Sequence, residues 1–353
     1  MNKSVITLTT MLVLMPIASI AKQPLFTFQE GDGFKRFSVS AGGLFVKPLG
    51  KAQPIQNYTA IQNGHVATNG DISYNAVIEN ANPDNPISSS TMFLLGLVSG
   101  GPGGTIPGLT TGSSTINGLE EWTSAGTGLE ADDVITLGIM TNYHFTDNIS
   151  FEMKAGFPPK VDIKGKGQIY APFSALAKGV VDLDMKNDLL VTDLSKHGKV
   201  AEARAWTPAF ELQYHFGKTG VNKFRPYVGA GLMFAYFNGL KLNPGLEQDL
   251  IDSGHMIANI LDNKAGASLD RKKSSANPVV TLEASSAIAP VVTAGFTYDF
   301  NDRWFAVTSL SYAQLSGKTT IKVTDEKFGE LVQSKAKIEI TPILGYAGVG
   351  YRF

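Results

Sequence analysis

The sequence contains no cysteine. Disulfides, thiolate nucleophiles and cysteine-bound metals are therefore excluded, though the compartment is not, since exported chains can also lack the residue. Excess charge of one sign is missing too. The 30 Lys and Arg against 31 Asp and Glu leave a formal net charge of −1, which offers nucleic acid no electrostatic footprint. Past the N-terminus no apolar run is long enough for a membrane helix. The nearest, STMFLLGLV at 90–98, is about half of the ~18 residues required. Mean hydropathy lies near zero, too polar for a bundle of membrane helices and too apolar for disorder.

Catalytic spacing is also lacking. No Gly-X-Ser-X-Gly elbow, His-Glu-X-X-His pair or metal cluster occurs, and His65, His144, His197, His215 and His255 stand apart in the sequence. GGPGG at 100–104 is followed by no Lys-Ser/Thr and is not a phosphate loop. Asp132 and Asp133 read as a solvated pair, and the Asp-rich segments match no EF-hand. An enzyme is not expected, nor a cofactor, a metal or a nucleic-acid partner.

What is present is glycine, at 37 residues, with 20 Phe and 11 Tyr. At the start, Lys3 precedes an apolar core over 5–17, and Ser19 and Ala21 occupy small-residue cleavage positions. Residues 1–21 read as a signal peptide, with the mature chain at 22–353.

A repeat organises the remainder. LGIMTNYHFTDNISFEMKAG, FELQYHFGKTGVNKFRPYVGAG and VTAGFTYDFNDRWFAVTSLSY each run as an alternating strand ending in Tyr-X-Phe, a polar turn and another strand. The three hairpins give six strands. FKRFSVSAGGLFVKPLG at 34–50 and AKIEITPILGYAGVGYRF at 336–353 add a first and a last. Alternation assigns faces in most of them. Ile135, Leu137, Ile139, Tyr143 and Phe145 share one face of the second strand. Phe210, Leu212, Tyr214 and Phe216 oppose Glu211, Gln213 and His215 in the fourth. Long segments, at about 51–131, 165–203, 243–282 and 324–335, alternate strictly with short turns, so every long loop lies at one end. This is the asymmetry of an all-β, closed, antiparallel eight-stranded transmembrane β-barrel with long extracellular loops, in which every backbone polar group is paired internally.

The stretches TDNISFEMKAGFP, WTPAFELQYHFG, NKFRPYVGAGLMFAYF, AGFTYDFNDRWFAVTSLSYAQLSGKTTIK and the terminal GVGYRF resemble the outer-membrane protein W family, in family order and over about half the chain. The resemblance implies a narrow, rather apolar channel for passive uptake of small hydrophobic molecules, in the outer membrane of a Gram-negative cell. The other reading is a sealed structural barrel whose loops bind host surfaces, phage or lipopolysaccharide.

Three groups of candidate site residues follow. Arg36, Glu152, Lys154, Glu211, Arg225, Asp299 and Arg352 point inward near the periplasmic end, as a plug or a gate, with His144 and His215 nearby. Leu44, Val46, Met140, Gly229, Gly231, Met233 and Gly295 line an upper lumen that is apolar or lacks side chains, leaving room for a cavity unless loops fill it. Tyr143, Phe145, Tyr214, Phe216, Tyr298, Phe300, Tyr351 and Phe353 form an aromatic girdle, and the terminal Phe353 resembles the signal read by the outer-membrane assembly machinery. Expected partners are outer-membrane lipid, lipopolysaccharide, that machinery and small hydrophobic solutes. Within the loops, 177–194 and 246–261 show helix-like apolar spacing and are expected to pack together over the mouth.

Overall fold

The computed structural model describes residues 34–353; the signal peptide expected at 1–21 lies outside the described residues. Eight strands form the ring: β1 (Phe37–Lys47), β2 (Val134–His144), β3 (Ile149–Gly156), β4 (Ala209–His215), β5 (Phe224–Leu242), β6 (Ala287–Asp299), β7 (Trp304–Ala313) and β8 (Ile343–Arg352). Each pairs antiparallel with its neighbours in sequence, and β1 closes on β8 with Ser38 opposite Arg352 and Lys47 opposite Ile343. The expected eight-stranded closure is what the chain adopts. Closure leaves no unpaired edge in the ring, which hydrocarbon demands.

The faces follow the alternation. Ile135, Leu137, Leu212, Val228, Leu232, Val292 and Leu310 point outward and are exposed, whereas Ser38, Ser40, Glu152, Glu211, Gln213, Arg225 and Thr293 point inward and are buried. The two strands whose faces alternation left open, β5 and β7, are settled by the lumen: Arg225, Tyr227 and Met233 face it from β5, Phe305, Val307 and Ser309 from β7.

At the lower rim each Tyr-X-Phe forms a T-shaped ring pair. The centroids are 5.3 Å apart for Tyr143–Phe145, 5.1 Å for Tyr214–Phe216, 6.0 Å for Tyr298–Phe300 and 5.0 Å for Tyr351–Phe353. Phe37 reaches Phe353 across the closing seam at 5.6 Å. Exposed Phe45, Phe157, Trp206, Tyr236 and Tyr312 stand at the opposite ends of the strands, a second belt of the kind found where a barrel leaves the hydrocarbon.

The long connections fold into a cap with its own core. One sheet joins Leu183–Asp193, Gln168–Lys178, Ser113–Asn117 and His65–Thr68; another joins Val279–Ala284, Ser316–Asp325, Gly329–Glu339, Ile55–Thr59 and Glu121–Ser124. Ile61, Ile116, Phe173, Met185, Ile257 and Leu331 are buried between them. Helix α1 (Ser89–Ser99) and helix α2 (Pro244–Leu261) complete the layer. α2 starts where Asn243 Oδ1 accepts from the Gly245 amide at 2.8 Å, with Pro244 in the first turn, where its missing N–H costs nothing. Leu246, Leu250, Ile257 and Ile260 then fall on its buried side.

Several expectations change. The segment 177–194 is a strand rather than a helix over Leu183–Asp193. Its apolar residues pair along a register from Leu183 opposite Ala177 to Thr192 opposite Ile169, so period two wins over period 3.6. The fourth loop, expected at 324–335, is a hairpin from Ser316 to Glu339 that belongs to the cap sheet. Consequently β8 begins at Ile343 and not near 336. The break falls at Ile340, Thr341 and Pro342, where Thr341 has φ 34° and proline cannot donate to a ladder.

Candidate functional site: the lumen and its mouth

From the periplasmic end upward the lumen is filled by two polar layers. In the lower one, Arg225 pairs with Asp147 at 3.1 Å and Arg352 with Asp299 at 2.8 Å. The Arg352 guanidinium also lies 4.4 Å from the centroid of the Phe305 ring. Thr219 Oγ1 accepts from Arg225 at 2.8 Å and itself donates to Asp147. Asp147 comes from the turn after β2, a residue that strand alternation did not single out. Its signal in the sequence is an acid in a tight turn at the level of an inward arginine.

Arg36 does not join this layer. It stands exposed at the rim, donates to the Phe145 carbonyl at 2.8 Å and lies 5.4 Å from the Phe34 ring centroid. Above it the rings of His144 and His215 sit 5.1 Å apart, and Ser150 Oγ is 3.0 Å from His215 Nε2.

The upper polar layer is centred on Lys154. Its ammonium lies 2.9 Å from Glu211 and 3.2 Å from Glu152, and donates to Thr293 Oγ1 at 2.9 Å and Ser311 Oγ at 3.2 Å. Asn142 donates to Glu152 at 2.8 Å. Glu211 therefore belongs with Lys154, and Arg225 with Asp147. Two stacked, hydrogen-bonded charge layers make a floor, since opening it means separating desolvated ion pairs. Among the described residues no three His, Asp or Glu gather as metal ligands.

Over this floor the lumen turns apolar. Met140 and Met233 are buried beside Leu44, and Val46 packs against the cluster of Met233, Val291 and Leu344. Gly229 faces the lumen next to Gln213 and Glu211, and Gly231 lies against the backbone of β4. The glycines do not leave the room that their missing side chains suggest. A Cβ on Gly295 would sit 2.7 Å from Tyr227 Cζ, and one on Gly138 3.0 Å from Tyr346 Cε2. The barrel gives up side chains there so that two tyrosines can lie across its interior. A pocket of about 10 Å³ lies low, among Ser40, His144, Gln213 and Arg225, and one of about 30 Å³ remains higher, between Met140, Gly156, Thr207 and Met233.

A larger cavity, about 140 Å³, opens at the mouth. Val46, Val134, Met233, Phe237, Leu315 and Leu344 line it from the barrel, and Ile55, Leu246, Leu250 and Ile338 from the cap. It shares Thr207, Met233 and Leu344 with the smaller pocket beneath it.

The wall beside that smaller pocket is incomplete. β3 and β4 pair up to Lys154 opposite Ala209, and the chain next pairs at Lys160 opposite Arg204, across strands Lys160–Lys166 and Lys199–Trp206. Between them one bond bridges the two sides, from the Ala205 amide to the Pro159 carbonyl at 3.1 Å. Pro158, Pro159 and Pro208 occupy this stretch and have no N–H to give. The pocket here is walled by the strand segments 138–140 and 154–156 and by Thr207 and Ala209, directly at this interruption of the ladder. These prolines were passed over in the sequence; proline within an alternating strand is the signal that marks them.

An apolar outer band, aromatic belts at both ends, an antiparallel ring and a polar packed interior define a small outer-membrane β-barrel. Its localisation is the cell outer membrane, in contact with lipid. The OmpW family model matches residues 109–253. Over 224 residues the chain is 29% identical to Outer membrane protein W of Vibrio cholerae serotype O1, which covers 62% of this chain and 73% of that one. It is 26% identical over 245 residues to an uncharacterized outer-membrane protein of Sinorhizobium fredii, y4mB, covering 69% of this chain and 75% of the other. Among solved structures, OprG from Pseudomonas aeruginosa superposes with a TM-score of 0.47 at 15% identity, covering 90% of this chain and 96% of that one. The likeness to OmpW proteins thus spans 109–253 by the family model and 62–69% of the chain by its relatives.

Proposed function

We propose that this barrel is a passive conduit for small hydrophobic molecules, which enter from the extracellular side through the apolar mouth and leave sideways through the gap between β3 and β4. The observation that carries this reading is the apolar mouth cavity, which shares Thr207, Met233 and Leu344 with a pocket at the wall gap and lies over a charge floor. Magnitudes favour the lateral exit. A ring the size of a Phe side chain buries ~150–250 Å², so returning it to water costs about 4–6 kcal/mol at ~25 cal/mol per Å². Passing the floor would in addition disrupt buried ion pairs, at several kcal/mol each. Sliding into hydrocarbon incurs neither cost.

The test is to restore the missing donors. Pro159→Val with Pro208→Val should extend the β3–β4 ladder and slow uptake of an apolar dye into proteoliposomes at least fivefold. Normal uptake by a correctly folded double variant rejects the lateral route.

A sealed barrel that binds host surfaces, phage or lipopolysaccharide is the second reading. The packed floor suits it, but an apolar mouth has no part in it. We assign the terminal Tyr351–Phe353 ring pair, held by Phe37 across the seam, to recognition by the assembly machinery.

A further inference from the structure

The cap holds a second cavity, lined by no residue of the ring strands and sharing Ser334 with the mouth cavity. It measures about 140 Å³. Leu95 of α1, Ile116, Phe173, Met185, Trp122 and Ile257 of α2 are among its walls. Native cores are close-packed, and voids much larger than a water molecule are few. An apolar cavity of about 150 Å³ stays dry and takes up benzene or xenon, so this one is of a size to hold a single six-membered ring.

The polar side chains in the wall do not call for water. Asn57 donates to Ser124 Oγ at 3.0 Å and accepts from Ser334 Oγ at 2.7 Å; Ser114 Oγ donates to Asn69 Oδ1 at 2.6 Å, and Asn69 donates to the Thr111 carbonyl at 2.7 Å. One donor is left over. The indole N–H of Trp122 is buried and has no hydrogen-bond partner among the described residues. A buried orphan donor is costly, by an amount comparable to a lost hydrogen bond, and in a native structure it calls for an explanation such as an absent ligand.

The outer wall gives access. In α1 only Leu95 and Ser99 are buried, while Leu94 and Val98, both half exposed, also line the cavity. Ser88 caps the helix, and the Gly-Gly-Pro-Gly-Gly tract follows, with Gly100, Gly101 and Gly103 at positive φ. That conformation suits glycine alone among common residues. Few buried contacts on one side and a glycine tract on the other make α1 the wall that yields most readily.

We infer that the cap cavity is a binding site for a small monocyclic aromatic carrying one hydrogen-bond acceptor, such as an aryl ketone or aldehyde, with Trp122 donating to that acceptor. The site is separate from the proposed passage. Its occupancy can be measured without transport, and its failure leaves the lateral route untouched.

The chain has three tryptophans, and Trp206 and Trp304 are exposed on the outer surface of the barrel, so the indole N–H resonances separate the site from the bilayer. Protein labelled with ¹⁵N in nanodiscs is titrated with acetophenone and with toluene. The Trp122 resonance, identified by its loss in Trp122→Phe, should shift downfield and saturate with acetophenone. With toluene it should saturate without the downfield shift. Calorimetry, with empty nanodiscs subtracted for lipid partitioning, should show about fivefold weaker acetophenone binding to Trp122→Phe and unchanged toluene binding. Ala177→Leu, which adds bulk to the wall, should weaken both ligands at least tenfold. A Trp122 resonance that never saturates and only follows Trp206 and Trp304 overturns the proposal. So does acetophenone binding that Trp122→Phe leaves unchanged.

Discussion

At the residue scale, two side chains concentrate the electrostatics. Lys154 pairs with Glu152 and Glu211 at once, and all three lie in the barrel interior. Lys154→Met leaves two buried carboxylates facing each other and should cost about 3–5 kcal/mol of stability, read as a drop in the temperature at which the folded band is lost on unheated gels. His255 governs a response in the cap. Its Nδ1 accepts from the Ser274 amide at 3.2 Å and lies 2.9 Å from Ser274 Oγ. Burial lowers its pKa below the ordinary 6.5; Lys273 adds to this and Asp252 opposes it. Below pH 6.5 the unfolded chain therefore takes up a proton that the folded cap resists, so cap stability falls as pH drops through that window and is level above it. Hydrogen exchange at Ser274, corrected for intrinsic rates, should quicken between pH 7.5 and 5, and His255→Gln should abolish the change. Which side chains face the lumen was legible in the strands with clear alternation, because a period of two admits one answer there; β5 and β7, apolar on both faces, gave none. Their partners were not: Arg225 finds Asp147 in a turn 78 positions away, and strand tilt and stagger decide that meeting.

At the scale of elements, the hairpins were readable because tight polar turns and the Tyr-X-Phe ending recur together. The wall gap was not, since FPPK and WTPAF each look like an ordinary strand end until the two are seen opposite each other. The terminal strand carries its own prediction. Phe353 donates its amide to the Phe37 carbonyl at 2.9 Å and packs on both Phe37 and Tyr351. Deleting it removes the last tie between β8 and β1, and the amount of folded protein in the outer membrane should fall severalfold on fractionation. Phe353→Tyr keeps ring and amide and should restore most of it. α2 was visible from its apolar spacing, whereas Leu183–Asp193 shows similar spacing and became a strand, because ten register pairs with Gln168–Lys178 were available.

On the scale of the whole molecule, ring and cap differ in how they are wired. Ring strands pair with sequence neighbours, apart from the β1–β8 closure. Cap strands of four to six residues find partners from other loops, as where Asn57 stands opposite Ser334. Such distant pairing leaves no periodic trace, which is why the loops looked merely long. The ring's ladders, in turn, do not depend on the cap. Replacing 51–131, 167–198, 243–284 and 316–339 with short turns should still give a heat-modifiable barrel, and the acetophenone signal should vanish with the cap. One strand ties the two parts together. β5 runs for 19 residues; its lower part pairs in the ring, and its last turn-free stretch pairs with Lys199–Trp206 in the cap. At ~3.3 Å per residue and a tilt of ~40° it climbs about 45–50 Å, roughly twice the ~25 Å apolar band of such barrels. The cap is thus carried on β5 clear of the hydrocarbon. On the proposed route, an oily molecule arriving from outside would meet protein interior before it met lipid.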